Sequence, residues 1–449
     1  MTAKPSKRNF TNNTGKDNGL LPENQAETKK VVVIPAGADA NEPTRQEQAD
    51  SEQSEGKLDP RLKNLEDKLR KKWTFRYNSV TCSTEIQNGK KWTRLDDFTL
   101  HSIVRELRKE GVALASKTRV AELLESDFCK KVNPIEQYFE NLPKPGNRDY
   151  ILDLAKTVMP TDDYTIETFY KFFKKWLVGA VANVFIKDRC ANQVCFILSG
   201  KQGAFKSTWI RNLCPPALEP YYIEGGLDPD DKDSIAATTS NFIFNLDDYF
   251  AGITSRKINE FKGLLTKNTV KIRRPYARYS EEMPKICSFI ASSNEQTFLH
   301  DPTGNRRFLP FEVQAIDIEA AKKIDINSVW AKAYQEYKAG FEYWLTKDDQ
   351  TELERHNTRF EVQSSEYELL VQCFRKPETG EKGIMLTTQN VIDRIKENLG
   401  TSMTFSQKKI GEALRKAGFE RKSCRVGGKA PVYAWEVMTV EMPDIEGEK

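Results

Sequence analysis

The sequence predicts an α/β chain. A parallel sheet carries a phosphate-binding loop, with an α+β and helical module before it and a helix–helix–hairpin module after it. Three observations predict this. Short apolar runs at 194–198, 241–246 and 286–292 are separated by helical stretches, which is how buried parallel strands read. The first run leads into Gly200, Lys201, Gln202, Gly203, Ala204, Phe205, Lys206, Ser207 and Thr208, and then into a helix. The second ends in two acids, Asp247 and Asp248.

At 449 residues the chain has room for more than one domain and for a sizeable core. Its 30% charged and 38% hydrophobic content is that of a rather polar soluble protein. A net charge of +4 does not by itself call for nucleic acid, so the placement of the cations matters more than their sum. Eight cysteines without a C-x-x-C pair, and three histidines, argue against a zinc site and a disulfide framework. Buried thiols in a reducing compartment are expected instead. No apolar run is long enough to span a membrane, and no signal core follows the first lysines. The expected location is the cytoplasm, with no membrane partner.

Residues 1–60 are rich in Lys, Asn, Gln, Glu, Thr, Pro and Gly, and read as a disordered tail. Its apolar island, Val31, Val32, Val33 and Ile34, reads as linker or as a short partner-binding strand. Residues 61–148 read as the N-terminal α+β module. Leu62, Leu65 and Leu69 recur at helical spacing, and runs at 73–86 and 92–95 form a hairpin turned at Asn88-Gly89. Helices follow around 100–110 and 117–124, and Pro143, Pro145 and Gly146 mark a boundary.

The nucleotide domain is expected over 149–348. It opens on a mostly helical stretch in which Ile166, Phe169, Phe172, Phe173, Trp176 and Leu177 make an apolar stripe. It closes on a helix at 329–348. A charged linker, 349–383, precedes the last domain at 384–440. There, helices at 387–398 and 406–417 are followed by hairpin arms at 420–425 and 431–437, turned at Gly427-Gly428-Lys429. Two helices and a two-stranded wing is the order of a winged-helix module.

A glycine-bearing loop between a buried strand and a helix start turns backbone N–H groups inward, and the helix dipole adds positive potential. Polyphosphate binds such a loop, with Lys206 on the β- and γ-phosphates and Ser207 as a hydroxyl ligand for Mg²⁺. Phe205 stands where the pattern G-x-x-x-x-G-K-[ST] has its second glycine. Asp247 reads as the metal-side acid and Asp248 as the base that polarises the attacking water. Two acids ending a strand, taken alone, read as a capped turn; behind a phosphate loop at this separation they read as the metal-side acid and the base. A third strand ends in Ser293-Asn294, where a carboxamide would orient the lytic water. Arg306 and Arg307 lie in a loop between strands; in a ring ATPase one of them reaches the neighbouring subunit's nucleotide.

With these elements in order, the chain resembles the virulence-associated protein E (VapE) family, P-loop ATPases of phages and mobile elements related to superfamily-three replicative helicases. The resemblance rests on residues 200–208, 245–248, 261–266, 273–276, 292–294, 298–299 and 301–308, the last reading D-P-T-G-N-R-R-F. It implies an AAA+-like core with Lys206, Ser207, Asp247, Asp248 and Asn294 at ATP, Mg²⁺ as cofactor, a homo-oligomeric ring, and an arginine of the 306/307 pair acting between subunits. Phe205 and an Asp rather than a Glu at 248 depart from the pattern and bear on the rate of hydrolysis.

DNA is the expected partner. From Thr269 onward the chain alternates apolar and basic residues, placing Lys271 and Arg273 on one strand face; Arg274, Tyr276, Arg278 and Tyr279 follow. Cations neutralise phosphates and tyrosines stack on bases. The resemblance implies a hairpin that tracks single-stranded DNA at this place. The winged module carries Lys408, Lys409, Arg415, Arg425 and Lys429, suited to duplex DNA. Three functions fit: an ATP-driven helicase or translocase in replication or excision, working with other proteins of that process; an ATP-gated DNA-binding initiator or loader that cycles slowly; or a nucleotide-binding interaction protein with no catalysis. The hairpin and the arginine pair favour the first; Phe205, Asp248 and the wing favour the second.

Overall fold

The computed structural model describes residues 59–161, 165–250, 253–273, 279–299, 305–378, 380–400, 403–424 and 431–440. The expected tail, with its island at 31–34, lies outside them except for Asp59 and Pro60. The chain divides into two units, Met1–Pro60 and Arg61–Lys449, and the elements below build the second from its boundary onward.

The first helix, Pro60–Lys72 (α1), buries Leu65 and Leu69 as their spacing predicts. A meander follows: Phe75–Asn78 (β1), Ser83–Asn88 (β2) and Lys91–Arg94 (β3), with the β2–β3 turn at Gly89 (φ 62°). The run at 73–86, read as one hairpin arm, is therefore two strands. The turn between them carries no Gly or Pro; the Asn78 side chain makes it by accepting the N–H groups of Val80 and Thr81. Asp97–Lys109 (α2) and Lys117–Leu124 (α3) are capped by Asp96 and Ser116. Lys130–Val132 (β4), missed in the sequence, pairs in parallel with β1.

Helices Pro134–Glu140 (α4) and Tyr150–Ala155 (α5), strand Val158–Pro160 (β5) and helix Ile166–Phe185 (α6) come next. The stripe on α6 is the centre of the main core, with Phe169, Phe172, Phe173, Trp176 and Leu177 fully buried. Then follow Cys195–Ser199 (β6), Lys206–Asn212 (α7), Tyr222–Glu224 (β7), Lys232–Ser240 (α8), Ile243–Asp247 (β8), Ser255–Thr266 (α9), Thr269–Ile272 (β9), Glu281–Pro284 (β10), Ser288–Ser293 (β11) and Phe308–Ile316 (β12). The main sheet runs β5-β12-β6-β11-β8-β7. Its strands from β12 to β7 are parallel and β5 is antiparallel at the edge. The apolar runs of the sequence are its central strands, fully buried in β6 and β11. This is a mixed α/β fold.

The helix read over 329–348 is Ile326–Lys338 (α11), after the short Ile318–Lys322 (α10). The chain breaks at Gly340 (φ 79°) and restarts as Lys347–Asn357 (α12) behind a Thr346/Asp349 capping box. Residues 349–383, read as linker, hold most of α12, then Ser365–Cys373 (α13) and Phe374–Arg375 (β13). Their charge serves packing. Buried Asp349 pairs with Lys171 (2.6 Å) and Lys175 (3.2 Å) of α6. Burial pushes its carboxyl up, but hydrogen bonds from Lys171, Thr346 and Lys175 prevail and hold it at about 2.

The C-terminal elements are Ile384–Leu386 (β14), Thr388–Leu399 (α14), Gln407–Lys416 (α15), Arg421–Cys424 (β15) and Val432–Thr439 (β16). Strand β16 pairs with β13, β14 and β15, and a separate core gathers Val391, Ile395, Ile410, Leu414 and Trp435. The helix–helix–hairpin order is as read, although the turn at 427–429 lies outside the described residues. Among the described residues no helix is long and apolar enough to cross a membrane.

Candidate nucleotide-binding site

The loop from Gly200 to Phe205 joins the C-terminal end of β6 to α7. Register places its neighbours: Ser199 pairs with Ser293 of β11, and Ser292 of β11 pairs with Asp247 of β8. The loop, Asn294 and both acids thus gather beyond the carboxyl ends of three adjacent parallel strands, where α/β sheets bind ligands. Gly200 is required by close approach, since a Cβ there would lie 2.4 Å from the Val313 carbonyl oxygen.

Lys206 opens α7 and is 5% exposed. Its Nζ donates to the carbonyls of Gly200 (2.8 Å) and Lys201 (2.9 Å) and to Asn294 Oδ1 (2.9 Å). Burial lowers its pKa against the opposing pull of Asp248 and Asp247. Ser207 Oγ donates to Asp247 Oδ1 at 2.7 Å, and Ser292 Oγ bonds the same oxygen. Asn294 Nδ2 donates to both carboxylate oxygens of Asp248, at 3.0 and 3.1 Å. One amide therefore links the lysine to the second acid. Ser292 belongs to this network and was missed, although its register opposite Asp247 follows once the strand order is known.

Among the described residues no group of three or more His, Cys, Asp or Glu is placed to hold a metal. The Ser207–Asp247 pair nevertheless fits Mg²⁺, which takes hard oxygen ligands and is commonly held by one or two protein groups plus phosphates and water.

These residues fall in one matched stretch: 146–362 fit the virulence-associated protein E-like domain. Over that stretch, just under half of its length, the chain is similar to the VapE-like family. No curated protein matches the chain. Among solved structures, the apo C-terminal region of NrS-1 (305–718) is similar at 14% identity and TM-score 0.49, covering 85% of this chain and all (100%) of that one. An A-form apo structure of the same region matches at 15% identity and TM-score 0.48 over 85% and 100%.

Within the matched stretch, Phe205 occupies the position of the second glycine with φ 60° and ψ 21°, the left-handed region, and is 53% exposed. A bulky residue costs about 1–2 kcal/mol there. Phe205→Gly is expected to raise the denaturant midpoint, by a stability gain of about 1 kcal/mol, whereas Phe205→Ala should not; a lower midpoint for the glycine variant would mean the ring packs productively. Asp248 also has positive φ (46°), which aspartate tolerates better.

Arg306 and Arg307 lie at the other end of the sheet. They precede Phe308, which pairs with Cys195, the first residue of β6, while the loop follows its last. Arg307 lies one step before that level and the loop one step beyond Ser199, so six residue steps put them about 20 Å apart along the strand. They line a cleft with Lys175, Arg189, Tyr343 and Trp344, and the buried Arg307 Nε has no hydrogen-bond partner among the described residues. Residues 301–304 of the motif lie outside the described residues.

The basic strand is β9, paired antiparallel with β10. Lys271 and Arg273 are exposed and Val270 is buried, following the alternation. Lys271 stands opposite Glu282, and Ile272 opposite Glu281, so the described part of the hairpin is mixed in charge. Arg274, Tyr276 and Arg278 lie outside the described residues, as do Arg425 and Lys429. On α15, Lys408 and Arg415 are exposed, while Lys409 pairs with Glu366 of α13 at 3.1 Å.

Proposed function

We propose that the chain is a magnesium-dependent ATPase that acts on DNA as a helicase or translocase, in replication or excision of a phage or mobile element. The observation that carries this is the meeting of Lys206, Ser207, Asp247 and Asn294 at one end of adjacent parallel strands. In this reading the triphosphate lies along 200–208. Lys206 exchanges the Gly200 and Lys201 carbonyls for the β- and γ-phosphates, which its burial favours by excluding water. Asn294 holds Asp248 in place to polarise the attacking water and turns with Lys206 when the γ-phosphate leaves. Ser207 and Asp247 would hold Mg²⁺, which supplies neutralisation of phosphate charge. An arginine from 306/307 would complete the neighbouring subunit's site in a homo-oligomeric ring, the cytoplasm being the natural setting.

DNA would meet Lys271 and Arg273, with Arg274, Tyr276 and Arg278 beyond them; Lys408, Arg415, Arg425 and Lys429 of a winged-helix module would meet duplex. Phe205 in left-handed backbone favours the second reading, an initiator or loader with slow turnover. Phosphate release with and without single-stranded DNA, paired with strand displacement on a forked duplex, separates the two. A motor shows DNA-stimulated release and displacement; a loader shows nucleotide-dependent DNA binding without displacement.

A further inference from the structure

We infer that the outer face of α2, outside the stretch that matches the family, is a contact for single-stranded nucleic acid, with phosphates on its cations and an unpaired base on Phe98. Helix α2 sorts its side chains by face. Leu100, Ile103, Val104 and Leu107 are buried. Glu106 and Glu110 lie toward α1, where Lys72 donates to Glu106 at 2.7 Å and Lys68 to Glu110 at 2.9 Å. Lys72 and Lys68 hold the Glu110 carboxyl at about 2. The acids at the C-terminal end of the helix are thus matched at the α1–α2 seam.

The solvent face carries Phe98, His101, Arg105 and Lys109, at steps of three, four and four residues, which is a single helical stripe. Arg108 and Lys117 of α3 join His101, Arg105 and Lys109 around a shallow cleft. Asp97 offsets one of these charges by pairing with Lys117 at 3.1 Å. Phe98 is 80% exposed at the head of the row. A lone exposed apolar residue is ordinary. A ring at the end of a row of cations is the combination that holds an unpaired strand, charge for the phosphates and a flat face for a base. The stripe spans about 16 Å, long enough to follow several phosphates. A duplex keeps its base faces stacked and offers Phe98 nothing along its length.

The test is anisotropy titration of labelled oligothymidylate, oligouridylate and a duplex with the full chain, without nucleotide, over a range of salt. Photo-crosslinking of each single strand, followed by peptide mapping, locates the contact. The inference expects a crosslink on the peptide holding Phe98, and the oligomer that crosslinks more strongly identifies DNA or RNA as the natural strand. Arg105→Glu with Lys109→Glu should weaken single-strand binding about ten-fold or more and lower the salt slope by about 1.4, two phosphate contacts' worth. Phe98→Ala should weaken single-strand but not duplex binding. All three residues are exposed, so unchanged melting is expected and checks the fold. Unchanged affinity and salt slope in the double variant, or crosslinks only at other peptides, would overturn the inference. So would equal loss of duplex binding in Phe98→Ala. Because no nucleotide is present, these outcomes leave the ATPase reading to its own test.

Discussion

Lys206→Ala is expected to reduce ATP turnover by about 10²–10³-fold, the scale of removing one preorganised charged donor from a water-poor site. Lys206 is buried at the first turn of α7, and its ammonium is held on two loop carbonyls and Asn294. Those carbonyls hold the ammonium at the loop, and in the proposed reading a bound triphosphate takes their place. Removing the amine takes away the cation that in the proposed reading would face the γ-phosphate, and also releases Asn294, the group that bonds Asp248. The loss should therefore exceed that of Asn294→Ala, which leaves the cation in place. Steady-state phosphate release at saturating ATP is the measurement, with melting temperature as the fold check.

Arg307→Ala is expected to lower turnover by about 10³-fold or more if the pair acts between subunits, the range found when such an arginine is lost. Its position sets it apart from its own loop: it sits beyond the opposite end of β6, about 20 Å away along the strand. Head-to-tail packing in a ring brings one end of a subunit against the other end of the next. Mixing the inactive Lys206→Ala and Arg307→Ala chains should restore turnover, since about a quarter of randomly formed interfaces pair an intact loop with an intact arginine. Mixed assemblies that form yet stay inactive would show that the pair serves structure only. Arg306→Ala, run in parallel, assigns the role within the pair.

Much of the sheet was legible because buried parallel strands must be apolar along their whole length. Cys195–Ser199, Ile243–Asp247 and Ser288–Ser293 stand out for that reason, and their ends point to the loop and acids. The strand order was not legible. It depends on which helices cover which face, and without it Ser292 had no visible link to Asp247. The edge strands Lys130–Val132 and Val158–Pro160 were missed because three residues hold no periodicity. The turn after Asn78 escaped because a side chain makes it. The charged stretch at 349–383 read as linker because its charges look solvated; Asp349 is instead paired and buried against α6, a contact between residues far apart in the chain. The alternation at 269–273 did predict which residues face outward, but the acids opposite them come from a second strand that had not been paired with it.

The central claim is that a triphosphate lies on the loop before Thr208 with its metal between Ser207 and Asp247. Calorimetric titration of ATP into the intact chain, with and without Mg²⁺, tests it most directly when repeated on Asp247→Asn. Tight binding in the native chain that Mg²⁺ strengthens is expected, with loss of that strengthening in the variant. Binding indifferent to Mg²⁺ in both chains, or no binding of ATP at all, would contradict it.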